Sequence, residues 1–166
     1  MQIQLRNVVP DFIEKEKRKD SHIWAQNITI SKGEHLHIVA PSGSGKTSLM
    51  HFIYGLRSDY SGNILYEETD IKKLSVESFS SFRQNKISII FQDLRLFKDQ
   101  TALENIEIKR RLSPYHKPEK VAEMAKHLGI DDKFNQPGKT WSYGEQQRIA
   151  IIRAVMQPFD FLLLDE

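Results

Sequence analysis

Eight consecutive residues, Ala40-Pro41-Ser42-Gly43-Ser44-Gly45-Lys46-Thr47, constrain this chain more than any other stretch. The residues before them, 34–40, read as a strand. The residues after them, 46–56, place Leu49, Met50, Phe52, Ile53 and Leu56 on one broad helical face. A strand that runs through a Gly/Ser turn straight into a helix is a unit of an α/β sheet, and its turn is built for phosphate. Gly43 and Gly45 have no Cβ, so backbone N–H groups can point inward. The helix adds the partial positive charge of its N-terminus. Lys46 supplies a full charge for the β- and γ-phosphates, and the Thr47 hydroxyl is a hard oxygen suited to Mg²⁺. Ala40 stands where the strict pattern has Gly. It adds one methyl group, which the loop tolerates if that position keeps φ below zero.

A second chemical signal lies at the other end. Phe161-Leu162-Leu163-Leu164-Asp165-Glu166 is an apolar strand ending in two carboxylates. Beside a phosphate loop, Asp165 suits Mg²⁺, usually through water, and Glu166 suits a general base that polarises the attacking water. The plain alternative is a core strand leaving its sheet at an acidic pair. Between the two signals, Ser142 and Glu145 form a capping box that opens a helix over residues 142–156, stopped by Pro158. A helix N-terminus is also an anion site, so the same residues suit a cap and a ligand, and spacing does not choose between them. Further elements are a short strand at 64–66 after a turn at 61–63, a strand at 87–91, a helix opened by the Thr101/Glu104 capping box, and a helix from Pro118 to a stop at Gly129.

Composition narrows the classes. The chain has 166 residues, which favours one domain, and a net charge of +2, which provides no electrostatic footprint for nucleic acid. It has no Cys, so disulfides, Cys-based zinc sites and thiol catalysis are excluded. Its apolar runs fall far short of the roughly 18 residues of a membrane span. No hydrophobic signal core opens the chain. These features predict a cytoplasmic-type soluble protein that meets a membrane only through a partner. The mixed charge run over residues 14–20 reads as a solvated turn between two strands, with a basic lipid or phosphate contact as the alternative.

The order of the motifs carries a family resemblance. The phosphate loop is followed by Phe91-Gln92-Asp93, then Ser142-Tyr143-Gly144-Glu145-Gln146-Gln147-Arg148, then Leu164-Asp165-Glu166. Over essentially the whole chain this resembles an ATP-binding cassette ATPase. The stretches at 91–97 and 101–106 look most like the subunits serving lipoprotein-release, macrolide-export and cell-division complexes. The resemblance implies an α/β fold: a RecA-like phosphate-loop parallel-sheet core (residues 1–92 and 157–166) with N-terminal antiparallel strands, and an inserted α-helical subdomain (93–156) carrying the signature helix.

It also implies roles. Ser42, Gly43, Ser44, Gly45, Lys46, Thr47 and Ser48 hold the phosphates of ATP. Thr47, Gln92 and Asp165 hold Mg²⁺, Gln92 also touches the attacking water, and Glu166 activates that water. Ser142 and Gly144 contact the γ-phosphate of ATP held by a second copy, so two chains sandwich two nucleotides head to tail. Phe12, which precedes Lys46 by 34 residues (46 − 12), stacks on adenine or is a core aromatic. The implied partner is a transmembrane permease, on the cytoplasmic face of the inner membrane.

Three departures from the family pattern stand out: Ala40, Trp141 where Leu is commoner, and Tyr143, which replaces the first Gly of the signature and bears on the contact across the dimer. All six His precede Glu166, so none can serve as the later His of the family. The last part of the core is expected to be missing, as in a fragment, with hydrolysis impaired. His35 and His37 share a strand face without a third ligand nearby. Lys109-Arg110-Arg111 reads as a solvated basic cluster, and Leu94, Leu96 and Phe97 read as either an exposed patch for a partner helix or internal packing. Rival readings are a soluble cassette ATPase acting on DNA or ribosomes and a non-hydrolysing nucleotide-binding regulator. A simple phosphate-loop kinase leaves residues 142–148 unexplained.

Overall fold

The computed structural model describes residues 1–14 and 21–165. Most of the charge run and the expected general base Glu166 lie outside the described residues. The chain forms two compact units, Met1–Arg83 and Gln84–Glu166.

The first unit is an antiparallel sheet with a helix on it. Strands β1 (Gln2–Pro10), β2 (Asn27–Ser31), β3 (Tyr60–Tyr66) and β4 (Thr69–Asp70) lie in the order β2-β1-β3-β4. Alternation in β1 buries Ile3 and Leu5, which pair with Tyr66 and Ile64 of β3, so one face is apolar. Helix α1 (Lys46–Ile53) buries Leu49, Phe52 and Ile53, and Phe52 packs on Tyr60 and Trp24 with ring centroids 4.8 and 6.4 Å apart. The Tyr66 hydroxyl donates to the Ile53 carbonyl.

Three expectations change here. The turn expected at 61–63 lies inside β3. The β1–β3 register shifts between Arg6 and Val9, with Asn7 at φ 49° and Gly62 at φ 80°, so the glycine signals a bulge. A Cβ on Gly62 would lie 2.3 Å from the Asn7 carbonyl oxygen. Second, residues 34–40 form no described strand and are largely exposed, His35 and His37 included. Their alternation suits a pleated surface, but a strand also needs a ladder partner, which periodicity does not supply. Third, α1 ends at Ile53 rather than at 56. Gly55 takes φ 69°, and Arg83 donates to the carbonyls of Tyr54 (3.1 Å) and Gly55 (2.8 Å), satisfying acceptors at the helix end. Arg83 belongs to α2 (Val76–Asn85), a helix with no strong signal in the sequence because none of its residues is fully buried. Its Phe79 and Phe82 lie against Tyr66.

The second unit joins a parallel strand pair to three helices. β5 (Ile87–Ile90) pairs with β6 (Phe161–Leu164) in the register Ile87↔Phe161 through Ile90↔Leu164. β6 is less covered than its composition suggests: Phe161 is buried and Leu164 is exposed, and the described sheet has two strands. Helices α3 (Ala102–Leu112), α4 (Pro118–His127) and α5 (Tyr143–Val155) close around Ile106, Val121, Ile130, Trp141, Ile149 and Ile152. Both expected capping boxes are present, Thr101 with Glu104 and Ser142 with Glu145. α5 is tied to the strand pair through buried polar groups. Ser88 Oγ donates to the Ala154 carbonyl (2.7 Å), and Gln157 Nε2 donates to the Ile87 carbonyl (3.1 Å).

The segment after β5 is held from two sides. Leu94 and Arg95 both take positive φ, 59° and 46°. Arg153 of α5 donates to the carbonyls of both, at 2.5 and 2.7 Å. Buried Asn105 of α3 donates to the Phe97 carbonyl and accepts from the Phe97 N–H. Leu94 is therefore buried, Leu96 packs on the helical core, and only Phe97 of the three expected patch residues stays exposed. The basic cluster is also more engaged than expected. Lys109 donates to Gln157 (2.8 Å), Arg110 pairs with Glu107, and Arg111 alone is largely exposed.

A Gly55→Ala substitution forces a Cβ to within 2.1 Å of the Phe79 ring at a left-handed position. It should cost about 2 kcal/mol or more in urea unfolding. Gly129→Ala, left-handed but with open space around it, should cost only about 1 kcal/mol, and Phe79→Leu should recover part of the Gly55→Ala loss. Arg153→Met should remove roughly 2–4 kcal/mol and speed amide exchange at residues 94–97 more than elsewhere in the second unit.

Candidate functional site

The phosphate loop has the backbone geometry that its glycines predict. Gly43 and Gly45 take φ of 76° and 94°, where side chains with a Cβ are strained. Ala40 lies outside the positive-φ positions, so its extra methyl is compatible with the loop. Gly45 is the N-cap of α1, no side chain caps that helix, and its first turn has no acidic residue. An uncapped, acid-free helix start leaves its amides to an anion. Gly45 also packs tightly. A Cβ there would lie 3.0 Å from Trp24 Cζ2, and Trp24 Nε1 donates to the Ser44 carbonyl at 3.0 Å.

Two side chains of the loop bear on what it binds. Lys46 Nζ is folded back onto its own loop, donating to the carbonyls of Ala40 (2.6 Å) and Pro41 (3.3 Å). Ser44 Oγ is buried with no hydrogen-bond partner, an orphan that a bound phosphate oxygen would satisfy. A cavity of about 500 Å³ opens beside the loop, lined by Ile13, Trp24, Ile38, Ser44 and Lys46. The residues present fit a triphosphate: amides, one ammonium, hydroxyls and no acidic residue in the first turn of the helix.

Phe12 and Ser48 belong to the same unit. Phe12 is 49% exposed, which removes the core-aromatic alternative. The Arg57 guanidinium lies over its ring at 5.1 Å and donates to Ser48 Oγ at 3.2 Å. Thr47 follows Lys46 in the first turn of α1. Trp24 and Arg57 carry no motif signal. They reach the loop and Phe12 from 20 and 45 residues away in sequence (44 − 24 and 57 − 12), and such proximity is set by packing.

In the second unit, β5 runs toward Gln92 and β6 toward Asp165. The strands are parallel and in register, and the Asp165 N–H donates to the Ile90 carbonyl at 3.0 Å. Gln92 and Asp165 therefore leave the sheet at the same, carboxyl end, the edge at which α/β sheets place ligands. Gln92 is exposed and Asp165 half-buried. Ser142, exposed, accepts from the Glu145 N–H through its hydroxyl (3.3 Å), while the Glu145 carboxylate accepts from the Ser142 N–H (2.6 Å). Those hydrogen bonds hold the Glu145 carboxyl below its usual range. Tyr143 is 61% exposed. Gly144 leaves space in which a Cβ would meet Arg148 at 3.4 Å.

Residues 25–166 match the ABC transporter family. Among curated proteins, the lipoprotein-releasing system ATP-binding protein LolD of Syntrophotalea carbinolica is 32% identical over 99% of this chain and 73% of its own length. The methionine import ATP-binding protein MetN 1 of Bacillus cereus is 35% identical and the spermidine/putrescine import ATP-binding protein PotA of Haemophilus ducreyi 33% identical, each over 99% of this chain. The chain spans under half the length of these two importers, 48% and 42%. Among solved structures, the dimeric ATP-binding cassette MJ0796 in a post-hydrolysis state bound to ADP and Pi superimposes with a TM-score of 0.81 at 27% identity, over 99% of this chain and 73% of that one. With the phosphate loop, the capped signature helix and the acidic strand end in place, this chain is a member of the ABC transporter family with the phosphate-loop fold of its ATP-binding cassettes.

Proposed function

We propose that the chain is the ATP-binding subunit of a transporter, using Mg·ATP hydrolysis to drive a transmembrane permease. The observation that carries this reading is the loop itself: two left-handed glycines and an orphaned Ser44 hydroxyl at an uncapped helix start, with Lys46 beside them. The amides of residues 42–48 and Lys46 grip the phosphates, and Phe12 stacks on the base. Thr47, Gln92 and Asp165 would hold Mg²⁺, which when bound would supply charge neutralisation for the phosphates. Glu166 accepts a proton from the attacking water. The water oxygen bonds to the γ-phosphorus as the bridging bond breaks, and ADP leaves with the bridging oxygen. Ser142 and Gly144 receive the nucleotide of a second copy, which makes the working unit a head-to-tail dimer. Exposure of Tyr143 supports this assignment, because its ring is not committed to the interior of its own chain.

Gln92 also relays nucleotide state toward the permease; the Arg153 clamp on the carbonyls of Leu94 and Arg95, just after it, supports this reading. The permease places the chain at the cytoplasmic face of the membrane. No helix of the described residues is long and apolar enough to cross one. Within the family, the stretches at 91–97 and 101–106 support the lipoprotein-release type of complex, to which the Syntrophotalea relative belongs by name.

Titration calorimetry with Mg·ATP tests the reading. Lys46→Ala should weaken binding at least about tenfold, whereas Glu166→Gln should leave binding intact and slow phosphate release about 100-fold. Undetectable heat with the unmodified chain would remove the proposal.

A further inference from the structure

Arg57 sits at the junction of the base platform and the phosphate helix, and nothing in the phosphate-loop chemistry accounts for it. It follows α1 in the chain and lies between two aromatic rings. Its guanidinium carbon is 5.1 Å from the centroid of half-exposed Phe12 and 5.5 Å from that of fully buried Phe52 on α1. Its orientation is set by three hydrogen bonds. Nε and one terminal nitrogen donate to the two oxygens of Asp59, a bidentate pair, and the other terminal nitrogen donates to Ser48 Oγ. The backbone is tied at the same place, since the Asp11 N–H donates to the Asp59 carbonyl at 3.1 Å. The Arg57 hydrogen bond keeps the Asp59 carboxyl below its ordinary range, so the pair is ionised at neutral pH.

A single aromatic ring at the edge of a protein is a poor base platform, because binding must first stop its rotation. Phe12 is fixed on one side by a planar cation that is itself fixed to α1. The half of the residue that remains exposed is left for a ligand. We infer that Arg57 is a positioning residue for the nucleoside: it clamps Phe12 between the guanidinium and the incoming base and links that platform to Ser48 beside the phosphates. The ligand class is a nucleotide with an aromatic base, as opposed to a bare polyphosphate. This inference rests on the nucleotide-binding reading above and adds a residue to it.

The test compares Mg·ATP with inorganic tripolyphosphate, which has the phosphates and no base, by calorimetry on the full chain. Arg57→Met keeps the stem and removes the planar cation. It should weaken ATP by about 3- to 10-fold and leave tripolyphosphate within about twofold. Phe12→Ala should weaken ATP to a similar extent, and adding Arg57→Met to it should produce little further loss, because one residue acts through the other. Asp59→Asn loosens Arg57 without deleting it and should show a smaller loss confined to ATP, which also serves if Arg57→Met fails to fold. Equal losses for ATP and tripolyphosphate, unchanged ATP affinity, or additive losses in the double variant would overturn the role of Arg57. An unmodified chain that binds neither ligand would instead remove the nucleotide reading, and one that binds both with Phe12→Ala silent would remove the platform alone.

Discussion

The left-handed backbone at Gly43 and Gly45 is the constraint on which the rest depends. It leads the chain into α1 with Gly45 as the N-cap and no side-chain cap. A helix start of that kind is costly unless an anion occupies it. Around it, Trp24 packs under Gly45 and holds the Ser44 carbonyl, and Lys46 lends its charge to the loop carbonyls. Each of these interactions holds the loop in the backbone shape that its glycines allow.

Three arginines do comparable work at the margins of the two units. Arg83 satisfies the carbonyls at the end of α1, Arg153 satisfies those of Leu94 and Arg95 after β5, and Arg57 fastens Phe12 to α1. A guanidinium suits such places because its rigid fork meets several acceptors at once and its flat face lies on rings. Burial lowers the Arg153 pKa from its usual value while Asp93 opposes the shift, a sign of how far this side chain has been drawn inside to serve two backbone carbonyls.

Both capping boxes, the stop at Gly129 and the carboxyl-end placement of Gln92 and Asp165 were legible from local pattern, because each depends on residues within a few positions of one another or on the direction of a single strand. Gly62 has the local pattern of a turn and forms a bulge. A bulge and a turn ask for the same positive φ, and the difference lies in the strand opposite. Helix α2 was not visible at all, since its apolar contacts come from two half-buried phenylalanines rather than a continuous buried face.

Residue types and short spacings were enough to mark residues 42–48 as a phosphate-loop candidate, to cap a helix at Ser142 and to put Asp165 at a strand end. Those properties follow from Cβ sterics, side-chain charge and local hydrogen bonding. The company these residues keep was settled by packing in three dimensions: Trp24 beneath the loop, Arg57 over Phe12, Arg153 on the carbonyls after Gln92, and Leu94 and Leu96 turned inward where an exposed patch was a possibility. Such contacts join residues tens of positions apart, and their stability comes from burial and hydrogen-bond satisfaction, quantities that exist only once the chain has folded.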